Sequence, residues 1–289
     1  MACRFRISQR SLLLSLAVAA AGSCLAIAQA AAAASAAFLP HEALYDLSLV
    51  KTRGSASIDS ARGRILYDFT GSPCEGYTSE FRQVSELNSG EGKVTLSDLR
   101  STSWEDADGK SYRFKIDARM NEADSSPVDG VAERTGDHIT VTLKQPEAKT
   151  FTLDGSTVFP TEQIRRIIAA AKEGKSLLEL TVYDGSDNGE KVYNTLTVIG
   201  KPIPGDRTIV SPDPSTTSDA MKSLTRWPVT VSYYDRDAKS NAGEQTPVYA
   251  MSFELFENGV SRALVLDYND FVISGALGKF DVKDSKPCK

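Results

Sequence analysis

Histidine is nearly missing. The 289-residue chain has two, His41 and His138, which deprives metal centres of their commonest ligand and acid–base schemes of their commonest base. Cysteine is scarce as well, with four residues and no Cys-x-x-Cys pair, so a dithiol redox enzyme is disfavoured. No Gly-rich phosphate loop, Gly-x-Ser-x-Gly elbow or His-Glu-x-x-His motif occurs. Positive charge is not in surplus: 33 basic residues face 38 acidic ones, a formal charge of -5. Nucleic acid is a poor partner for such a chain, because phosphate binding needs a basic face. The composition is otherwise ordinary, 41% hydrophobic, 8% aromatic and 25% charged, ample for one or two packed domains. Nothing in it names a reaction, and the expectation is a non-enzyme with no catalytic, cofactor or metal site.

The one long apolar run opens the chain. Arg4, Arg6 and Arg10 precede Leu12, Leu13, Leu14, Leu16 and Val18. An alanine-rich stretch follows, with small-x-small sites at Ala28-Gln29-Ala30 and Ala34-Ser35-Ala36. This pattern predicts a signal peptide over residues 1–36. Cleavage is favoured over a retained anchor, because Gly22-Ser23-Cys24 and Gln29 interrupt the apolar run. The rival is lipidation of Cys24 within Ala21-Gly22-Ser23-Cys24, against which alanine stands where a lipoprotein box wants leucine. Cleavage would remove three arginines and no acid, leaving 30 basic against 38 acidic residues, a charge of -8. Such a mature chain has no transmembrane segment and suits anionic membrane surfaces poorly.

Two cysteines remain after that cleavage, Cys74 and Cys288. An even pair in an oxidising compartment is most simply one disulfide. Closing a loop of 215 residues, Cys74 to Cys288 inclusive, the cross-link would remove on the order of 5 kcal/mol of unfolded-state entropy as an upper figure. The functional rival is Cys74 as a nucleophile with His41 or His138 as its base.

The dominant hydrophobic period is two. In Tyr112-Arg113-Phe114-Lys115-Ile116-Asp117-Ala118-Arg119 every charge falls on one side and every apolar residue on the other, as in a half-buried antiparallel strand. Ile65/Tyr67/Phe69, Ile139/Val141/Leu143, Val229/Val231/Tyr233 and Tyr249/Met251/Phe253/Leu255 read the same way. Residues 43–50, 77–86, 93–99, 128–134, 149–153, 177–183, 191–199, 262–267 and 271–282 are further candidates. Turn signals recur at Asp108-Gly109, Asp129-Gly130, Asp154-Gly155, Asp184-Gly185, Asn188-Gly189 and Asn258-Gly259. The pattern predicts one mainly β domain over residues 37–289, a meander of short antiparallel strands.

One helix interrupts it, over about residues 160–174. Pro160 suits a first helical turn, Ile164, Ile167, Ile168 and Ala171 repeat at helical spacing, and Gly174 supplies the stop. Such a helix either plugs the open end of a curved sheet or packs on its face. The segment 202–219, with Pro202, Pro204, Pro212 and Pro214, is expected to be a long surface loop or short linker.

Other constellations weaken on inspection. Asp184-Gly185-Ser186-Asp187-Asn188-Gly189 starts like a calcium loop, but its twelfth position is Thr195 where glutamate is needed, so a hairpin turn is expected. Glu105/Asp106/Asp108 and Asp235/Asp237 lie beside predicted turns and read as surface carboxylates. His138 and His41 read as structural or exposed. Trp104 and Trp227, with Tyr45, Tyr67, Tyr112, Phe114 and Phe253, make either plain core or the lining of a cavity for an acyl chain or apolar peptide.

An ordered set of short motifs carries a resemblance. It comprises His41-Glu42-Ala43-Leu44-Tyr45-x-Leu47-x-Leu49, Cys74-Glu75-Gly76-Tyr77, Phe159-Pro160-Thr161-Glu162, Tyr183-Asp184-Gly185-Ser186 and Leu266-Asp267-Tyr268-x-x-Phe271, closing at Cys288. Together these resemble the cell-envelope integrity family EipB, over about residues 38–288. The resemblance implies a periplasmic β-spiral, or open barrel, of about fourteen strands round one central helix, similar in shape to the LolA and LolB lipoprotein carriers. It also implies a disulfide between Cys74 and Cys288 and a role in keeping a Gram-negative envelope intact. The function expected is binding of envelope components or partner proteins, with no cofactor. Carriage of lipid or lipoprotein acyl chains is the alternative, and an envelope hydrolase the lesser one.

Overall fold

The computed structural model describes residues 37–54, 58–121, 123, 125–207, 211–237, 245–285 and 288. The predicted signal peptide and Cys24 lie outside the described residues. Fourteen strands form one antiparallel sheet: β1 His41–Thr52, β2 Ile58–Ser72, β3 Gly76–Ser89, β4 Lys93–Glu105, β5 Ser111–Met120, β6 Ser126–Thr135 and β7 His138–Gln145. They continue with β8 Lys149–Asp154, β9 Leu177–Val182, β10 Tyr193–Ile199, β11 Arg226–Asp235, β12 Tyr249–Phe256, β13 Ser261–Asp267 and β14 Phe271–Val282. Helix α1, Pro160–Lys172, joins β8 to β9, and the four-residue α2, Pro214–Thr217, lies between β10 and β11.

The order in the sheet runs β8 to β1, then β14 down to β9. Every neighbour is a neighbour in sequence except β1 and β14, which pair in the middle with Leu47 opposite Gly275 and Tyr45 opposite Leu277. The first and last strands are thus central, and the edges β8 and β9 are consecutive in the chain. Just past β8, Val158 bridges Val182 of β9 in parallel, which draws the two edges together. This is an open sheet curled into a spiral.

Period-two patterning explains why each strand has an inner face. In β5, Tyr112 and Phe114 are buried while Arg113 and Lys115 are exposed. In β1, Ala43, Tyr45 and Leu47 are buried on one face, with Asp46 and Ser48 exposed on the other. The inner faces of β1, β2 and β10–β14 form one core with Ile167, Ile168, Ala170 and Ala171 of α1. The helix therefore sits in the hollow of the curl. Phe159, Tyr183 and Val192 cover the inner faces of β5–β8 in a second core.

Some turn expectations are corrected. Asp129-Gly130 is no turn: both residues lie inside β6, at a register shift against β7. A Cβ on Gly130 would stand 2.5 Å from Phe114 Cζ, so the glycine makes room for an aromatic ring rather than for a reversal. Asp184-Gly185 and Asn188-Gly189 do not make a tight hairpin either. They belong to a ten-residue loop between β9 and β10, whose strands pair with Val182 opposite Tyr193. The loop folds inward because it brings its own apolar surface, Tyr183 and Val192, to the face of β5–β7.

The proline-rich segment is a loop within the domain, between β10 and β11, rather than a linker, and its residues 211–219 are described. It carries α2, capped by Asp213, whose carboxylate accepts the Ser215 amide. Arg262 of β13 reaches it through the Ser211 carbonyl at 2.6 Å and the Asp213 carboxylate. Glu254 of β12 joins Arg262 to Arg226 of β11, at 2.6 and 2.7 Å. Both arginines are buried, and paired charges are the form in which burial is tolerated.

Candidate functional site

Phe159 occupies the N-cap position of α1 and has no side-chain acceptor to offer its first amides. The sheet supplies one. Glu105, the last residue of β4, accepts the Thr161 amide at 2.7 Å and the Glu162 amide at 2.8 Å. It is 2% exposed, and burial pushes its carboxyl up to about 7 against the pull of those amides. Arg134 of β6 holds the same turn from the other side. Its guanidinium donates to the carbonyls of Gly109 at 2.9 Å, Thr157 at 3.0 Å and Gly155, and to the Glu162 carboxylate at 3.0 Å. It also lies 5.2 Å from the centre of the Phe159 ring. The helix is thereby pinned inside the spiral, its first turn against β4 and β6.

Pinned there, α1 leaves two adjoining chambers under its first turns. The larger, about 270 Å³, lies between α1 and the inner faces of β1–β3, β12 and β13. Ile65, Phe81, Met251, Leu264 and Leu266 make it apolar. The smaller, about 100 Å³, is at the helix start, where Ser79, Ser103, Thr161, Asn258 and His41 contribute polar atoms. Tyr67, Ile164 and Gly259 line both. No Asp, Glu, Lys or Arg lines either chamber. A wider groove of about 660 Å³ on the outer side of β9–β11 is open to solvent and lined by Arg166, Glu179, Thr181 and Asn194.

The aromatic expectations divide. Tyr45, Tyr67 and Phe253 line the larger chamber. Trp227 is buried in the core around it, whereas Tyr112 and Phe114 belong to the second core. Trp104 faces outward, with Arg113 5.1 Å from its ring and its indole N–H donating to the Glu75 carbonyl at 3.1 Å. Outer-face parity decides this, since Trp104 pairs with Arg113 and not with a core residue.

Cys74 and Cys288 are joined in a disulfide, with Cα atoms 5.7 Å apart. Cys74 is therefore not a free nucleophile here. His41 is buried among Tyr67, Phe69 and Phe280, with Nδ1 2.8 Å from the Leu39 carbonyl. Burial is the main cause that lowers its pKa. His138 stands at the surface 3.2 Å from Asp137. Among the described residues no cluster of three His, Cys, Asp or Glu side chains could hold a metal, and no helix is long and apolar enough to cross a membrane. The Asp184 carboxylate accepts the Ser186 amide at 2.9 Å inside the β9–β10 loop.

Glu105 is the residue that sequence reasoning misplaced. It was expected at the surface beside a turn, and it lies in the interior because it shares the inner-face parity of its partner Tyr112. Two signals point to it: its alternation with Ser101 and Ser103, and a helix start with no Ser, Thr, Asp or Asn to cap it. Arg134 carries the same signal, as a charge at the inner-face end of β6 opposite buried Ile139.

An antiparallel β-spiral wound round a pinned helix, with two chambers free of charged lining residues between them, defines a class of barrel-like proteins. A family model described as EipB-like matches residues 32–284 of this chain, and the chain belongs to that family. The cell envelope integrity protein EipB of Brucella abortus (strain 2308) is 36% identical over 249 residues, 86% of this chain and 85% of that protein. A crystal structure from Brucella abortus, described as a β-barrel-like protein of a domain of unknown function, is similar at a TM-score of 0.75 and 32% identity. That match covers 86% of this chain and 99% of the other.

Proposed function

We propose that this protein acts in the periplasm to keep the cell envelope intact, by binding rather than by catalysis. The observation that carries the role is the 36% identity, across 86% of the chain, to a protein named for cell envelope integrity. The leader-like first 36 residues support export. The binding mode is supported by what the candidate acids do. Glu105 caps α1, Asp235 pairs with Lys191, and Asp106 accepts backbone amides of its own turn. These carboxylates are spread over separate structural tasks rather than gathered in one cleft, which favours binding over hydrolysis. Other envelope proteins are the expected partners.

A second reading is favoured by the inner chambers: carriage of an acyl chain. The larger chamber is close to the roughly 300 Å³ at which small-molecule pockets begin, and its walls are apolar. A deletion strain tests the role. Increased sensitivity to detergents and cell-wall antibiotics, restored by the wild-type gene, is the expected outcome, and unchanged sensitivity would overturn it. Native mass spectrometry of the protein purified from the periplasm tests the carrier reading. A reproducible extra mass that denaturation releases as lipid or acylated peptide supports it, and a clean protein mass counts against it.

A further inference from the structure

The two chambers adjoin but differ in chemistry. The larger one is walled mostly by apolar side chains such as Ile65, Phe81, Met251, Leu264 and Leu266, with Gln83, Ser261 and three tyrosines among them, whereas Ser79, Ser103, Thr161, Asn258 and His41 make up a larger share of the smaller one's wall. Neither has a formal charge in its wall. His41, the one titratable base among the lining residues, is kept neutral because burial disfavours the imidazolium. The helix start has its Thr161 and Glu162 amides already taken by Glu105, so neither is left for an anion. A carboxylate, phosphate or ammonium seated there would lose hydration with no ion-pair partner in the wall itself, the Arg165 guanidinium lying over the Phe38 ring at 5.7 Å rather than in the lining.

We propose that the paired chambers bind one single-chain acyl compound through an uncharged ester or amide. The chain fills the larger chamber and the ester or amide the smaller. This rests on the acyl-carrier reading above and specifies its ligand. At about 30 Å³ for each water-sized group, 270 Å³ takes about nine methylenes. That is one medium-length chain, not the two chains of a diacyl lipid. An ester would come from a neutral glycerolipid and an amide from an acylated protein N-terminus.

Calorimetric titration of the mature, disulfide-bonded protein near neutral pH distinguishes these cases. The probes are monodecanoylglycerol, N-decanoylglycinamide, decanoate and decyltrimethylammonium. At least one uncharged probe is expected to bind about tenfold or more tighter than either ion. Ester-only binding supports the lipid source, amide-only binding the protein source, and binding of both the shared chemistry. Leu266→Trp fills the larger chamber and is expected to weaken binding about tenfold or more. Ile164→Phe, in the wall common to both chambers, is the second variant should the first fail to melt cooperatively. Equal binding of the ions, or affinity unchanged in a folded filling variant, overturns the proposal. Should no probe bind while the periplasmic protein carries a lipid mass, this inference fails and the carrier reading stands. No binding together with a clean native mass ends both.

Discussion

Glu105 receives two helix amides because Phe159 at the N-cap has no acceptor to give them. Removing the carboxylate in Glu105→Ala would leave two buried donors unpaired, each costing about 1–3 kcal/mol. We expect this variant to lose about 2–4 kcal/mol in urea denaturation, several times the effect of an exposed substitution. The same residue makes stability depend on pH. Its folded pKa, about 7, lies above the ordinary 4.5. Its contribution is therefore complete below about pH 4.5 and lost as the pH rises through 7. The stability difference between wild type and Glu105→Gln should accordingly shrink from pH 5 to pH 8, by up to about 3 kcal/mol. A difference that stays flat would show that the carboxyl titrates alike in the folded and unfolded chain. His41 acts with the opposite sign, since a lowered pKa costs stability as the pH falls. The paired comparison removes it.

At the scale of elements, α1 and the β9–β10 loop are what the sheet curls around. Ile167 is fully buried in the core that the helix shares with β1, β2 and β10–β14. Ile167→Ala should cost about 2–5 kcal/mol by chemical denaturation. The loop depends on a close approach that only glycine permits. Gly185 has φ +70°, and a Cβ there would stand 2.4 Å from Phe114 Cδ2. We expect Gly185→Ala to lose stability through both the left-handed backbone and the clash with that ring. Phe114, wedged between Gly130 and Gly185, should then show altered ring resonances by NMR, while those of the core around Ile167 stay in place. A wild-type-like melting curve for Gly185→Ala would mean that the loop is not packed as described. The stretch from Ser211 to Thr217 obeys the same logic: it is held by Arg262, itself paired with Glu254, rather than by its own composition.

Across the whole molecule, the first and last strands pair at the centre of the sheet, and the Cys74–Cys288 bond fastens the end of the chain beyond β14 to the β2–β3 turn. Closing so long a loop acts mainly on the unfolded chain, with an upper figure of about 5 kcal/mol. Reduction, Cys74→Ser and Cys288→Ser should therefore each lower the melting temperature by several degrees. They should do so without changing the far-ultraviolet circular dichroism of the folded state. An unchanged melting temperature under reductant would show that the bond adds nothing to the β1–β14 pairing.

Alternation, together with the turn signals between runs, placed a candidate within each of the fourteen strands, with 271–282 the least regular, because a half-buried strand places apolar residues at every second position. Helical spacing after Pro160 located α1 to within two residues of its end at Lys172. Counting cysteines was enough to single out Cys74 and Cys288, the pair that the structure joins. The residues Tyr45, Tyr67 and Phe253 of the larger chamber were legible as aromatics on inner faces. Their convergence was not, since it depends on how far the sheet curls and which strands meet across the hollow. The burial of Glu105 and Arg134 followed from the same closure: each is a charged residue at a strand end, and only the arrival of α1 turns that end into interior. Local patterning determined the elements, because each strand and helix carries its own periodicity. The site was decided by tertiary structure, because its walls come from β1–β3, β12, β13 and α1, whose mutual distance no local period encodes.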